Sequence, residues 1–347
     1  MKTEGNILKI KKIQDKDFIW TWKSNARGSK VSVWIPYFNE LTKAKGKANW
    51  LISYNGGELE LDLNKVDFIL FYGASGVLPL EFLDQLSVLG IIFIIHRRNM
   101  VRPYIFFPSN SGDPQDLLTK QILYRKNQIQ CTYIARTLIN GKFSSIKEKY
   151  IVYEEDFNAL KKTKNVDKVR NIEAVVSVRY WKEWFKELGV DHSRRSESHI
   201  SNALDAVSYF LYGILLRWVL FHKLSPFHGF LHVTTDYPSL VYDLIEPYRY
   251  MLDWSVKIAY ERVGDTKELT AASLGEIKNI LEETVYVPAT RQYVRRKNLL
   301  HGVVLALRAY LMGEVKRLVI PVEGAKKGGR SPNCGYSLPG EIYKKKG

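Results

Sequence analysis

The spacing of hydrophobic residues changes character near residue 110 of the chain. Before that point, short segments of β-branched and aromatic residues are separated by turn sequences, which is typical of strands. Strands are predicted at 6–13, 18–22, 30–35, 50–54 and 59–61. The last two flank Asn55-Gly56-Gly57, a turn sequence typical of a β-hairpin.

A second pattern within the first 110 residues predicts a strand–helix–strand unit. The apolar segments 66–72 and 90–96 flank a helical pattern at 80–89. Such a unit predicts two parallel strands joined by a right-handed crossover. The Gly-Ala-Ser-Gly sequence at 73–76 lacks the lysine and the spacing of a phosphate-binding loop, so we interpret it as a turn.

After residue 116, apolar residues recur with the helical period. Helices are predicted at 117–143, 172–188, 200–222, 253–263, 269–283 and 291–319. The predicted fold class is therefore α+β, with a β-rich N-terminal domain followed by an all-α helical C-terminal domain. The predicted boundaries are 1–107 for the β-rich domain, 108–116 for a linker, 117–320 for the helical domain and 321–347 for a basic, flexible tail.

Charge and composition narrow the classes of partner. The 347 residues carry a net charge of +16 and the pI is about 9.5, which indicates a polyanionic partner. A basic surface that serves only solubility is the alternative. The longest apolar run, 209–221, contains Arg217 and is too short to span a bilayer, so no membrane partner is predicted. Two cysteines far apart and an N-terminus without an apolar signal segment predict a cytoplasmic protein.

The stretch 227–249 carries the most distinctive candidate chemistry. His232 precedes two acidic residues, Asp243 and Glu246, which are three positions apart. On a helix this spacing places both carboxylates on one face, where they could hold a divalent metal together with the imidazole. A histidine followed by two acids also arises without any metal site, so the spacing leaves both interpretations open.

Several segments, taken in order, resemble the CRISPR-associated integrase family of the adaptation module, the Cas1 ("Cas one") proteins. The resembling segments are the strand–helix–strand unit with 66–98, the helix at 134–143, Glu173 followed seven residues later by Tyr180, the helix with Asn202, Tyr209 and Tyr212-Gly213, and the stretches 229–232 and 239–249. Together they cover about residues 60–310.

The resemblance implies a catalytic set of Glu173, His232, Asp243 and Glu246. Within it, Glu173, His232 and Glu246 would hold Mg²⁺ or Mn²⁺, since carboxylates and one imidazole suit these ions. Asp243 is left as a direct ligand, a hydrogen-bond partner of His232 or a surface acid. Without the resemblance, Glu173 is explained by the helix dipole and His232 by a structural role.

Further residues are candidates for contacts with DNA. They are Arg136, Lys142, Arg179, Asn202, Tyr212, Arg249, Arg291, Arg295 and Arg296. Solvated helix faces are the alternative for the basic residues, and core packing is the alternative for Asn202 and Tyr212.

The function that the resemblance implies is metal-dependent insertion of spacer DNA into a CRISPR array, by attack of a 3′-hydroxyl on a phosphodiester. The resemblance also implies a DNA endonuclease with its catalytic domain at 117–320, a homodimer formed through the domain at 1–107, and the small partner Cas2 ("Cas two"). The DNA substrates it implies are double-stranded, branched or carry 3′ overhangs. A transposon-borne, casposase-like integrase shares these features. A DNA-binding scaffold with an inactive site is the non-enzymatic alternative.

Overall fold

The computed structural model describes residues 8–13, 20–23, 31–36, 38–45, 48–54, 57–72, 76–96, 104–106, 116–146, 152–191, 198–326 and 336–339. The chain divides into two compact units, Met1–Gly112 and Asp113–Gly347. The first unit contains most of the described strands and the second most of the described helices, which confirms the predicted α+β class.

One sheet of the first unit is antiparallel throughout. It has the strand order β1 (Leu8–Ile13), β6 (Gly57–Asp62), β5 (Asn49–Tyr54) and β4 (Phe38–Lys43). Strands β5 and β6 pair as the predicted hairpin. Strand β4 was not predicted, because only two of its six residues are buried and its sequence is mostly polar.

The other sheet contains the predicted parallel unit. Its order is β2 (Trp20–Lys23), β3 (Val31–Pro36), β7 (Val66–Tyr72), β8 (Ile92–His96) and β9 (Tyr104–Phe106). Strands β7 and β8 are parallel and joined through helix α1 (Leu80–Leu89), as the sequence predicts. Phe71, Phe82 and Phe93 interlock edge to face between the helix and the sheet, which anchors α1.

The second unit is built around one buried helix. Its helices are α2 (Leu117–Lys126), α3 (Gln128–Ile146), α4 (Glu154–Lys161), α5 (Val166–Glu187), α6 (His199–Phe221), α7 (Ser239–Ile245), α8 (Arg249–Val263), α9 (Leu269–Glu282) and α10 (Lys297–Leu311). Among the described helices, only α6 is long and apolar enough to cross a membrane, and 72% of that apolar window is buried within the protein. This burial is typical of a core helix.

Two helix boundaries differ from the prediction because asparagine side chains cap backbone groups. The predicted helix 117–143 is broken at Asn127, whose side chain accepts hydrogen bonds from the backbone N–H groups of Ile129 and Gln130. Helix α5 begins after Asn165, not after Asn171, because the Asn165 side chain accepts from the Lys168 N–H.

The buried face of α5 also differs from the prediction. Of the predicted apolar positions 174, 178, 181, 185 and 188, Phe185 is buried but Val178 is exposed, and the helix also buries Val169, Val176, Tyr180 and Trp184. Both sets recur with the helical period, so periodicity alone did not distinguish them.

The segment 291–319 was predicted as one long helix, but its first residues form a strand and its helix is shorter. Strands β10 (Thr284–Val287) and β11 (Gln292–Arg295) form an antiparallel hairpin, and α10 begins only at Lys297. Arg291 lies in the connecting turn with φ 56°, a left-handed conformation that cannot continue a helix.

The described part of the predicted flexible tail is packed against the second unit. Leu338 is 3% exposed, and its backbone N–H donates to the side-chain oxygen of Gln292 at 2.8 Å. Its side chain lies against Gly302 on α10, where a Cβ atom would come within 2.1 Å of it. The expectation of flexibility therefore does not describe residues 336–339.

Candidate active site

A buried carboxylate organises the loop that carries His232. Asp243 on α7 is fully buried and accepts three backbone N–H hydrogen bonds, from Phe230 at 2.5 Å, Leu231 at 2.9 Å and His232 at 3.0 Å. It also pairs with the Nδ1 atom of His232 at 2.8 Å. Because Nδ1 is engaged, Nε2 is the imidazole nitrogen left to bind another group.

The close approach of this loop to α7 requires glycine at position 229. A Cβ atom on Gly229 would lie 2.8 Å from the Asp243 carboxylate and 2.8 Å from the His232 carbonyl oxygen. The Gly229 N–H donates to the Ser239 hydroxyl at 3.0 Å, which ties the loop to the start of α7. The Gly-Phe-Leu-His sequence at 229–232 and Asp243, eleven residues after the histidine, therefore form one structural unit.

The other two predicted ligands meet around a lysine. Lys142 on α3 forms salt bridges with Glu173 on α5 and, at 2.7 Å, with Glu246, which directly follows α7. The Ser177 hydroxyl also accepts from the lysine, at 3.2 Å. A single ammonium group thus connects carboxylates from two separate helical elements.

These contacts keep the charged forms of the buried groups. Burial opposes ionisation of Glu246, but the positive charges of Lys142 and Arg249 outweigh it and lower the pKa of Glu246 to about 2. Burial also opposes the charge on Lys142, and the two glutamates outweigh it and raise the pKa of the lysine. Glu246 and Lys142 are therefore both charged at neutral pH.

His232 titrates under opposing influences. Burial disfavours its charged form, whereas the hydrogen bond and the charge of Asp243, together with the charge of Glu246, raise the pKa of His232 above its usual value. The surrounding carboxylates therefore favour a positive charge at the imidazole position. A bound metal cation is another way to supply that charge.

Glu173, His232 and Glu246 line one cavity of about 400 Å³. Asp243 is not among the lining residues and lies behind His232, so two of the roles left open for it, direct ligand and surface acid, do not match its position. The cavity is also lined by Asp167, Arg170, Asn171, Ala174 and Leu231. Arg170 was missed in the sequence, although its position three residues before Glu173 places both on one helix face.

The donor set fits a hard divalent cation, and Lys142 stands in for part of its charge. Two carboxylates and one imidazole around a cavity suit Mg²⁺ or Mn²⁺. Across the described ranges, no three His, Cys, Asp or Glu side chains lie close enough together to surround a metal ion. Between Glu173 and Glu246 the reason is the Lys142 ammonium, which pairs with both carboxylates and lies between them.

A model of the family described as CRISPR associated protein Cas1 matches residues 42–267, well over half of the chain. The chain belongs to the Cas1 family. A curated relative, the CRISPR-associated endonuclease Cas1 2 of Moorella thermoacetica, is 23% identical over 244 residues, covering 61% of this chain and 75% of the relative.

Solved structures show the same fold in other Cas1-like proteins. A casposase bound to an integration product has a TM-score of 0.69 at 20% identity and covers 83% of this chain and 92% of its own. A chain of a Cas6-RT-Cas1–Cas2 complex has a TM-score of 0.65 at 10% identity, covering 85% of this chain and 36% of its own. A Cas1 protein from Thermotoga maritima has a TM-score of 0.50 at 19% identity, covering 81% and 96%.

The basic residues singled out in this Cas1-family chain fall into different environments. Arg249 is next to the cavity and donates to Glu246 at 3.2 Å. Arg136 donates to the Lys161 carbonyl at 3.0 Å, and Arg179 pairs with Asp156 at 2.6 Å. Each of these three residues is half-buried.

Most of the basic residues just before α10 form salt bridges with acidic side chains. Arg291 is exposed, whereas Arg295 forms a salt bridge with Glu282 at 2.5 Å. Arg296 is 5% exposed and pairs with Glu283 and Glu323. Arg296 therefore links the hairpin to the segment after α10, and its contact with DNA stays a prediction.

Two further candidates for DNA contact are buried. Lys142 is 7% exposed and satisfies the two glutamates of the site. Tyr212 is 2% exposed, and its ring lies 5.3 Å from that of Tyr242 in an aromatic cluster. Tyr212 therefore packs in the core, and contact of either residue with DNA stays a prediction. Asn202, one turn into α6, is half-buried.

Proposed function

We propose that this protein is a metal-dependent DNA integrase and endonuclease of CRISPR adaptation. The proposal rests on one observation: in a chain of the Cas1 family, Glu173, His232 and Glu246 line the same cavity. The reaction is attack by the 3′-hydroxyl of one DNA on a phosphodiester of another, with hydrolysis when water is the attacking group.

Each side chain has a definite task in this scheme. Glu173, Glu246 and the Nε2 atom of His232 would hold Mg²⁺ or Mn²⁺. When bound, such an ion polarises the phosphodiester and stabilises the charge that develops on attack and departure. Asp243 holds the His232 ring through its Nδ1 atom, so it acts on the ligand and not on the DNA.

The positive charge of the chain serves the binding of DNA. Arg170 is exposed at the cavity and Arg249 borders it, so both are suited to contact the phosphates beside the reacting bond. A net charge of +16 favours a double-stranded or branched DNA over a small substrate. Because neutralised phosphates release counterions, the affinity for DNA falls steeply with salt concentration.

The assembly completes the proposal. We expect the β-rich domain at 1–107 to form a homodimer and the small protein Cas2 to join such dimers. Support for the partner comes from the similar fold of a chain in a Cas6-RT-Cas1–Cas2 complex. Size-exclusion chromatography with light scattering, with and without Cas2, measures both associations.

A strand-transfer assay on branched DNA tests the chemistry. We expect product with Mn²⁺ or Mg²⁺, none with EDTA, and none from His232→Ala in either ion, while its DNA affinity and fold are retained. His228→Ala is the matched control, since His228 lies on the same loop but pairs with Ser225, away from the cavity, and it is expected to stay active. Equal product with metal and with EDTA would exclude metal chemistry, and no product in either condition would indicate the inactive-scaffold alternative.

A casposase-like integrase of a mobile element is the second candidate. The observation in its favour is the fold shared with a casposase bound to its integration product, at a TM-score of 0.69. The two candidates use the same site and differ in the DNA they recognise. Preference for a CRISPR leader–repeat target over an element's terminal inverted repeats, measured in the same assay, separates them.

A further inference from the structure

Lys142 is unusually well satisfied for a lysine. Its ammonium has three protons, and the structure provides three acceptors: Glu173 Oε1, Ser177 Oγ and Glu246 Oε2. The side chain is only 9% exposed, whereas most lysines lie at the surface. Its contacts join helix α5 to the segment that follows α7.

Both carboxylate oxygens of Glu246 accept hydrogen bonds from positively charged side chains. Oε2 accepts from Lys142 at 2.7 Å, and Oε1 accepts from Arg249 at 3.2 Å. The two glutamates and the two basic residues together have no net charge. Any further cation that uses the Glu173 and Glu246 carboxylates must therefore compete with an ammonium or a guanidinium already present.

We propose that Lys142 is the internal counterion of this site, holding Glu173 and Glu246 together in the metal-free protein and competing with the divalent cation for the same oxygens. This inference rests on the proposed function, because it assumes that these two carboxylates are the metal ligands. Lys142 is a positioning residue in this role and touches neither substrate nor the reacting bond.

The electrostatic consequence is a weaker affinity for the metal than the carboxylates alone would provide. With Lys142 present, adding a divalent cation changes the charge of the four-residue cluster from zero to +2. Without the lysine charge, the same step changes it from −1 to +1. Since like charges a few ångströms apart repel strongly in a partly buried site, removing the ammonium favours metal binding.

Calorimetric titration of the full-length protein with Mn²⁺ measures this effect. We expect Lys142→Met, which keeps an unbranched side chain one atom shorter and removes its charge, to bind Mn²⁺ about tenfold more tightly than the wild type or better. Ser177→Ala is the matched control. It removes a neutral partner of the ammonium and a neutral donor to Glu173 Oε1 at 2.6 Å, and leaves every charge in place. Its dissociation constant is therefore expected to stay within about twofold of the wild type.

A second readout is thermal stability without metal. In EDTA the Lys142→Met protein should have a lower melting temperature than the wild type, because Glu173 and Glu246 then repel each other. Saturating Mn²⁺ should raise its melting temperature by more than it raises that of the wild type. Unchanged or weaker Mn²⁺ binding by Lys142→Met would overturn the counterion role.

The wild-type protein provides a test that does not depend on the variant folding. An amine-reactive label should modify Lys142 slowly in EDTA and faster in saturating Mn²⁺, measured by mass spectrometry of the peptide. Lys182 on α5 is exposed and serves as the internal control with a constant rate. Equal labelling of Lys142 in both conditions, with Mn²⁺ bound, contradicts the proposal.

Two failures are distinguishable. A wild-type protein that binds no Mn²⁺ and gives no metal-dependent product overturns the proposed function itself and the counterion role with it. A wild-type protein with metal-dependent strand transfer, combined with unchanged Mn²⁺ affinity in Lys142→Met, overturns the counterion role alone.

Discussion

Replacing Asp243 by alanine should destabilise the second unit and disorder the loop that carries His232. The carboxylate is fully buried and accepts four hydrogen bonds, three of them from consecutive backbone N–H groups and one from the His232 ring. Alanine cannot accept any of these bonds, and the buried donors would have to find water or remain unpaired.

The size of the effect follows from these contacts. A buried donor left unpaired costs about 1–3 kcal/mol, and bonds to a charged acceptor are at the upper end of that range. Since the loop can relax toward solvent at some of the four positions, we expect a loss of about 4 kcal/mol. Asp243→Asn should lose less, because its amide keeps one acceptor oxygen but presents an NH₂ group to donors that need an acceptor.

Urea denaturation followed by far-UV circular dichroism measures the change. The matched control is Asp236→Ala on the same loop, where the carboxylate is exposed and accepts a hydrogen bond from the nearby Thr234 hydroxyl, so we expect a change below about 0.5 kcal/mol. If Asp243→Ala lost less than about 1 kcal/mol, the four hydrogen bonds would not be the reason for the loop's conformation.

Two other changes test the packing and the titration of the second unit. Gly229→Ala should cost about 2 kcal/mol or more by urea denaturation, because its Cβ would approach the Asp243 carboxylate within 2.8 Å. Gly275→Ala in α9, where nothing lies within 4 Å, is expected to stabilise by about 0.5–1 kcal/mol, and equal effects at the two glycines would contradict this reasoning. Burial, with the charges of nearby Arg217 and Arg308, lowers the pKa of His222 to about 4, and burial also lowers the pKa of its 2.6 Å neighbour His301. Both rings are therefore neutral in the folded protein but protonate near pH 6.5 when the chain is unfolded. The free energy of unfolding should therefore fall as the pH is lowered from above 6.5 toward 4. We expect a loss of about 2 kcal/mol per ring between about pH 7 and about pH 5. Urea denaturation at the two pH values measures this loss, and an identical pH dependence in His301→Phe would show that the pair is not its source.

The strand–helix–strand unit and the helical second unit were predictable because their signals are local. Val66–Tyr72 and Ile92–His96 are apolar runs of strand length, and hydrophobic periodicity reports such elements directly. The hairpin before α10 was not predictable in this way. Its strands have only four residues each, and its basic residues fit a helical pattern equally well.

The candidate site was predictable in part. The separation of His232 and Asp243 along the chain suggested a functional pair, and the structure shows that a single carboxylate both shapes the loop and orients the ring. The resemblance to a family supplied Glu173, which no local pattern connects with His232. Arg170 was missed because an arginine on an exposed helix face has the same sequence signal whether or not a cavity lies beside it.

By itself, the amino-acid sequence determined the α+β division, the order of the motifs and the excess of positive charge, since each of these is encoded in composition or in short-range periodicity. Only the tertiary structure decided which charges are available. Lys142 contacts acids 31 and 104 positions away in the chain, and Arg296 is neutralised by glutamates from two neighbouring segments. Such pairings depend on which elements pack together. They explain why basic residues whose sequence pattern suggests a DNA-binding surface form salt bridges inside the protein instead.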